Sequence, residues 1–300
     1  MNNAKRVIAL GFFDGVHLGH GALLRTVVQR AKMHDAVPTA FTFDVHPASQ
    51  ILKHQVPLLS TPEDRRELMR RCYGIEDVVV GQFDRMMRMD WRDFVREYLQ
   101  RELGVIHVVA GHDFHFGYRG EGNPARLKQC CEELGIGCDI IEKVELDGIT
   151  VSSTYIRTLV AQGETERAME FLGHPHVYTG TVVHGKQLGR TIGFPTANLT
   201  VPDGILVPAY GVYAARVELE DGRRYMAVTN VGIRPTVDDG DLLTVEPWIL
   251  DFNGDLYGQR LRVEYYARLR GEQKFSGLQE LSEMVFRNAD QTREYFSIQN

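Results

Sequence analysis

The sequence predicts an α/β unit built on a parallel sheet, followed by a small antiparallel β-barrel closed by a C-terminal helix. Three observations carry this expectation. The first half alternates short apolar runs with stretches of helical spacing, the pattern of a parallel sheet covered by helices on both faces. After Gly173-His174-Pro175-His176 that alternation gives way to strand after strand, with Asp221-Gly222 and Asn253-Gly254 as hairpin turn signals. The length of 300 residues also exceeds what one compact core usually needs. The change of pattern places the boundary between 1–172 and 173–300.

In chain order, Val7-Ile8-Ala9-Leu10 is a short apolar run broken by Asp14-Gly15, as for a buried strand. Residues 21–34 then carry helical spacing through Leu23, Leu24, Val27, Val28 and Ala31. A second strand pattern ends at Phe43. Thr61-Pro62-Glu63-Asp64 is a helix start, with a capping hydroxyl, a proline in the first turn and two carboxylates near the positive dipole end. That helix stops near Gly74, and a strand over 77–80 follows. A helix over 91–103, a strand over 106–110, a helix over 124–134 and a strand over 138–144 complete the first half. In the second half 176–184, 211–219, 223–231, 243–252 and 259–269 read as strands. Ser276 opens the closing helix, where Gln279 would complete a capping box.

Composition narrows the function classes. Hydrophobic content of 43% and charged content of 25% describe an ordinary soluble globular chain. A net charge of -6 and a pI near 6.0 argue against nucleic-acid and anionic-membrane partners, which both want a basic face. No apolar run approaches the ~20 residues of a membrane span, and Met-Asn-Asn-Ala-Lys-Arg before a short strand argues against a secretory signal. Cys72, Cys130, Cys131 and Cys138 lack C-x-x-C spacing and read as reduced, structural thiols, which fits the cytoplasm.

Four segments carry chemistry in the first half. Leu10-Gly11-Phe12-Phe13-Asp14-Gly15-Val16-His17-Leu18-Gly19-His20 sets two imidazoles between a strand and a helix, where free N–H groups and the helix dipole favour an anion. Phe43-Asp44-Val45-His46-Pro47 puts another histidine at the sheet edge. Gly111-His112-Asp113-Phe114-His115-Phe116-Gly117 joins flexible glycines, a carboxylate and rings suited to a flat heterocycle. Val151-Ser152-Ser153-Thr154-Tyr155-Ile156-Arg157 offers three hydroxyls at a helix start and an arginine one turn on, which suits phosphate. In a parallel α/β sheet, ligands bind at the carboxyl ends of the strands. Solvated turns and an ordinary helix cap remain the competing structural readings. In the second half, a period of two puts Glu246 on the face of Trp248 and Leu250, and a carboxylate facing an apolar surface needs a partner or a task. Its alternative is a strand-edge carboxylate beside Pro247.

Residues 11–20, 111–117 and 152–157 together resemble the adenylyltransferase module of bacterial FAD synthetases, which combine a riboflavin kinase with an FMN adenylyltransferase. Gly189-Arg190-Thr191-Ile192-Gly193-Phe194-Pro195-Thr196-Ala197-Asn198 resembles the nucleotide and magnesium loop of the kinase module. Asn230-Val231-Gly232-Ile233-Arg234-Pro235-Thr236 and Asp255-Leu256-Tyr257-Gly258 continue the match. The resemblance covers nearly the whole chain, in order. It implies a Rossmann-like nucleotidyltransferase domain followed by the barrel, with riboflavin phosphorylated by ATP to FMN and FMN then adenylylated by ATP to FAD and pyrophosphate.

The same resemblance assigns roles. Glu246 is the general base on the ribityl hydroxyl, and Mg²⁺ is held through Thr196 and Asn198, whose hard oxygens suit it; without the flanking glycines these two would read as a β-turn. Gly189, Arg190, Gly193, Pro195 and Asn230 bind the kinase substrates. His17, His20 and Arg157, with Ser153, stabilise charge on the phosphates during adenylyl transfer. Gly11, Phe13, Asp14, Gly19, His46, Asp113, Phe114, Ser152 and Thr154 line that nucleotide and flavin site. Phe12 in place of a common asparagine, Val45 in place of a common proline, and Lys186-Gln187-Leu188 without an acidic residue depart from the family pattern. Partners are then ATP, riboflavin and FMN, with no nucleic acid and no membrane, and weak self-association left open. A nucleotidyltransferase for another phosphorylated substrate would leave the second half idle. A non-catalytic flavin-binding regulator would bind flavin without consuming ATP.

Overall fold

The structure, a computed structural model, describes residues 4–52, 55–185, 193–235 and 241–298. The chain forms two compact units, Met1–Val56 with Arg65–Ser152, and Pro57–Asp64 with Ser153–Asn300.

The first unit opens with β1 (Arg6–Leu10), α1 (Leu18–His34), β2 (Val37–Phe43), α2 (Pro47–Leu52), α3 (Pro62–Tyr73) and β3 (Asp77–Gly81). Helix α3 begins in residues of the second unit and enters the first at Arg65. Then come α4 (Phe83–Met86), α5 (Trp91–Asp93) running into a π-helical stretch Phe94–Glu102, and β4 (Val105–Gly111). Helix α6 (Pro124–Leu134), β5 (Gly137–Ile141) and a small hairpin of β6 (Glu145–Leu146) and β7 (Ile149–Thr150) finish it. The five long strands form one parallel sheet in the order β3-β2-β1-β4-β5. The chain therefore builds outward from β1 through β2 to β3, then returns to the other side of β1 as β4. That reversal opens the crevice where such sheets take ligands.

Local chemistry explains why most boundaries fall where the sequence put them. Val7, Ile8, Ala9 and Leu10 are all buried, as a strand covered on both faces requires. The Thr61 hydroxyl accepts from the Asp64 N–H (3.0 Å), capping α3 as expected. Helix α6 is capped by the Asn123 side chain accepting from the Arg126 N–H, carries Pro124 in its first turn, and ends at Gly135 in the left-handed region. The predicted helix over 91–103 is largely π-helical, yet it buries the expected apolar face through Phe94, Val95, Tyr98 and Leu99.

The second unit holds α7 (Ser153–Gln162), α8 (Thr165–Leu172), β8 (His176–Val183), β9 (Asn198–Thr200), β10 (Gly211–Glu218), β11 (Arg224–Pro235), β12 (Asp241–Ile249), β13 (Arg260–Gly271) and α9 (Leu278–Ile298). Strands β8–β13 close into a barrel in the order β10-β11-β12-β9-β8-β13, every pair antiparallel. Its interior is filled by Tyr178, Tyr213 and Tyr265 among valines and leucines. Helix α9 covers the outer face, with Ala289 against Val212, Val228 and Leu250, and Phe296 against Ala214 and Ala267.

One local turn expectation holds and two others need correction. Asp221-Gly222 does turn a hairpin, with the Leu219 N–H donating to the Arg223 carbonyl and Gly222 at φ 84°. Asn253-Gly254 does not: β12 pairs with β11 and β9, while β13 pairs with β10 and β8, so barrel closure overrides the local turn signal. At the closing helix, both the N–H and the hydroxyl of Ser276 donate to Glu280, four residues on, because α9 starts only at Leu278; Gln279 bonds Glu283 instead. No helix among the described residues is long and apolar enough to cross a membrane.

Candidate active sites

Between β1 and α1 the backbone makes a tight turn in which Phe13, Gly15 and Val16 all take positive φ, at 60°, 73° and 44°. Glycine adopts that region freely, but a β-branched valine there is a genuine outlier. The turn delivers His17 to the N-cap of α1. Its Nδ1 accepts the His20 backbone N–H (3.3 Å), so in the neutral ring the proton sits on Nε2. The His20 ring stacks on it at 3.6 Å between centroids and 14° between planes. Gly19 makes room for this pair, since a Cβ there would lie 3.1 Å from the His17 ring. Two imidazoles at the N-terminus of a 17-residue helix, at the positive end of its dipole, are groups of the kind that suit phosphate oxygens.

Strand β4 neighbours β1, so the loop after it reaches the same edge of the sheet. There the His112 N–H donates to the Ile141 carbonyl (2.9 Å) and the Phe114 N–H to the Gly111 carbonyl (3.1 Å). Asp113 is exposed, and Phe114 is half-buried, stacked on Phe116 at 5.7 Å. His46 accepts the Ala48 N–H on Nδ1 (3.1 Å) and meets the Phe12 ring edge-on at 4.7 Å. The Gly11 N–H donates to the Phe41 carbonyl (3.1 Å). The Phe13 and Asp14 side chains, grouped with the cofactor-binding residues by sequence, are both buried, Asp14 beside the Arg65 guanidinium. Ser152 closes the first unit, whereas Ser153, Thr154 and Arg157 open α7 in the second, with the Arg157 Nε donating to the Pro57 carbonyl (2.7 Å).

In the barrel the site is a matter of register. Strand β12 pairs Glu246 with Asn230 on β11. On its other side Thr244 faces Thr200, Val245 faces Leu199 and Thr196 bridges Trp248, which sets Asn198 opposite Glu246. Asn230, Glu246 and Asn198 thus stand side by side across three adjacent strands. Leu199 and Val245 point into the barrel core, so this row faces outward, on the side where Trp248 and Leu250 lie, as the period of two required. Asn198 is buried, Thr196 and Glu246 are half-buried, and Asn230 is exposed. Phe194 packs against Trp248 (5.9 Å) and Phe286 (6.4 Å), fixing the segment that carries Gly193 and Pro195. Gly189 and Arg190, like Lys186-Gln187-Leu188, lie outside the described residues.

Three residues that contact these sites escaped the sequence reading. Gly185 lies so close to Asn198 that a Cβ would fall 2.5–2.7 Å from its amide. Arg65 and Thr42 contact the histidine turn from within the first unit. A signal for Arg65 was present: Asp64 and Arg65 stand one helical turn before the buried Leu68 and Met69, on the face that should be apolar.

Both halves of the chain match known families. Residues 1–155 match the FAD synthetase family and residues 172–296 the riboflavin kinase family. Bifunctional riboflavin kinase/FMN adenylyltransferases are similar along nearly the full length. That of Listeria monocytogenes is 36% identical over 98% of this chain and 93% of its own, and that of Bacillus subtilis is 36% identical over 98% and 93%. The Escherichia coli K12 protein is 33% identical over 97% of this chain and 93% of its own. A Streptococcus pneumoniae crystal structure, described as a macrolide-efflux protein, superposes with a TM-score of 0.84 at 31% identity, covering 97% of this chain and 94% of that one. A histidine turn on a parallel sheet, a row of Asn198, Glu246 and Asn230 on a closed barrel and relatives that share both halves lead to one conclusion: the chain belongs to the family of bifunctional riboflavin kinase/FMN adenylyltransferases.

Proposed function

We propose that residues 1–172 and 173–300 each handle one phosphate transfer, and that the chain makes FAD from riboflavin in two steps. The observation that carries this is the presence on one chain of two separate arrangements of groups suited to phosphate chemistry, the histidine turn and the Asn198–Glu246–Asn230 row. By chemistry the division runs between 1–172 and 173–300, although packing groups α7 and α8 with the barrel.

In the kinase step the terminal ribityl hydroxyl of riboflavin attacks the γ-phosphorus of ATP. Glu246 takes the hydroxyl proton as the new O–P bond forms, and ADP leaves. The hydroxyl of Thr196 and the amide oxygen of Asn198 are hard donors of the kind Mg²⁺ takes when it shares ligands with substrate phosphates. The side-chain-free approach of Gly185 leaves Asn198 the room that role needs. When bound, the ion would neutralise charge on the phosphates. Gly189, Arg190, Gly193, Pro195 and Asn230 would bind the kinase substrates.

In the second step an FMN phosphate oxygen attacks the α-phosphorus of a second ATP and pyrophosphate leaves. No base is needed, because that oxygen already carries the electrons. His17 and His20, with Ser153 and Arg157, would stabilise charge on the transferring and leaving groups. Gly11, Gly19, His46, Asp113, Phe114, Ser152 and Thr154, with the backbone of Phe13 and Asp14, would shape the site. The partners are small molecules, and the protein acts in the cytoplasm, without nucleic acid or membrane.

The test is a flavin time course with riboflavin, ATP and Mg²⁺, the flavins separated by chromatography. FMN should form first and FAD after it. Flavin retention without ATP consumption would leave a binding protein, and adenylylation without phosphorylation would leave the barrel row without a task.

A further inference from the structure

The strained turn that carries His17 is gripped from behind by a side chain that neither reaction step uses. Arg65, on α3, has a side chain only 4% exposed. Its Nη1 donates to the Phe12 carbonyl (3.0 Å) and to Thr42 Oγ1 (3.3 Å). The Thr42 hydroxyl in turn donates to that same carbonyl (2.8 Å). Arg65 Nη2 lies 3.8 Å from Asp14 Oδ1, a carboxylate that is itself buried. The guanidinium also covers the Phe12 ring, 4.0 Å from its centroid, while His46 meets that ring edge-on.

One planar cation thus holds the residues on both sides of Phe13, where the backbone first enters the left-handed region. A turn with valine and phenylalanine at positive φ persists only when its surroundings over-determine it. A buried ion pair adds little stability by itself; holding one conformation is its better-attested use. The contacts also account for Phe12, which departs from the family pattern: its ring supplies the face on which the guanidinium lies. Lysine could keep the charge, but it lacks the fork and the flat face.

We propose that Arg65 is a positioning residue for adenylyl transfer, fixing the turn so that His17 and His20 meet the transferring phosphates. It touches no substrate. The inference rests on the reading of the histidine turn as the adenylyl-transfer site.

The experiment uses the full-length protein with Arg65→Met, Arg65→Lys, Thr42→Val and His17→Ala, each fed FMN and ATP, with riboflavin phosphorylation measured in the same preparations. A misplacement near 1 Å can cost about 10²-fold, so Arg65→Met should lower the kcat of adenylylation by about 30-fold or more, with KM for FMN within about threefold. Riboflavin phosphorylation should be unchanged. Arg65→Lys should recover part of the loss, and Thr42→Val should show a smaller loss of the same kind. If His17→Ala is inactive in adenylylation while Arg65→Met is not, the inference fails and the site reading stands. If His17→Ala stays active, the site reading fails and takes the inference with it. If Arg65→Met does not fold, Arg65→Lys and Thr42→Val decide, and unchanged kcat in both overturns the proposal. A kcat loss equal to the loss of folded protein overturns it as well.

Discussion

In the first unit the two groups proposed to face phosphate, His17 and His20, are three positions apart, and one turn between β1 and α1 places both. In the barrel Asn198, Glu246 and Asn230 come from three strands, and only the register of β9, β12 and β11 brings them into a row. The first arrangement is a local device carried by backbone strain and a helix terminus. The second is a global one, which exists only once the barrel has closed. A local site should tolerate changes elsewhere in the fold and fail when its turn relaxes. A register-built site should fail with any change that shifts one strand against the next, because a one-residue slip reverses the face of every side chain.

The strongest way to break the comparison is to empty the local site. Removing one preorganised donor to a developing charge costs about 10²–10³-fold, so His17→Ala with His20→Ala should lower FAD formation by about 10³-fold or more. Riboflavin should still become FMN, which would accumulate. Loss of both conversions in a folded double variant would show that the two sites are not independent. The next effect is on the register-built site. Glu246→Gln keeps the size and shape of the side chain and removes the proton acceptor, so riboflavin phosphorylation should fall about 10²-fold. Supplied FMN should still become FAD. A variant that phosphorylates riboflavin at full rate would remove Glu246 from the mechanism and leave the row a structural feature.

The same contrast explains what could be read from the sequence. The histidine turn was legible because all its parts lie within residues 11–20: an apolar strand, Asp14-Gly15, two histidines and a helix. The face of Glu246 was legible from a period of two along β12, since Trp248 and Leu250 do lie on its side. Its neighbours were not, because register is a property of paired strands and neither Asn198 nor Asn230 announces its partner. Asn253-Gly254 shows the same limit, a sound local turn signal overruled by which strands close the barrel. Strand β9 was missed because Pro195 and Asn198 are turn-forming residues, and only pairing with β8 and β12 makes Asn198–Thr200 a strand. Arg65 was passed over for a different reason. Arginine is nearly always exposed, and seeing that this one is buried requires knowing that α3 turns its Leu68 face inward.

The finest comparison sets two glycines against each other, one in each site. A Cβ at Gly185 would fall 2.5 Å from the Asn198 amide, inside the distance any real contact allows, so the amide must move. A Cβ at Gly19 would lie 3.1 Å from the His17 ring, a contact relieved by a shift of a few tenths of an ångström. Neither glycine has a positive φ, so both Gly→Ala changes act through space and not through backbone strain. Displacement of a proposed metal ligand by a sizeable fraction of an ångström should lower riboflavin phosphorylation by about tenfold in Gly185→Ala, with more Mg²⁺ needed for half-maximal rate. Gly19→Ala should lower adenylylation by only about threefold, because the histidine stack can lean away as a unit. Rates for each variant on riboflavin and on FMN, across a Mg²⁺ series, measure both effects together. If Gly185→Ala leaves the Mg²⁺ dependence unchanged while the rate falls, Asn198 acts on the substrate and not through the ion. If Gly19→Ala is the more damaging of the two, the histidine turn is less forgiving than its local construction implies.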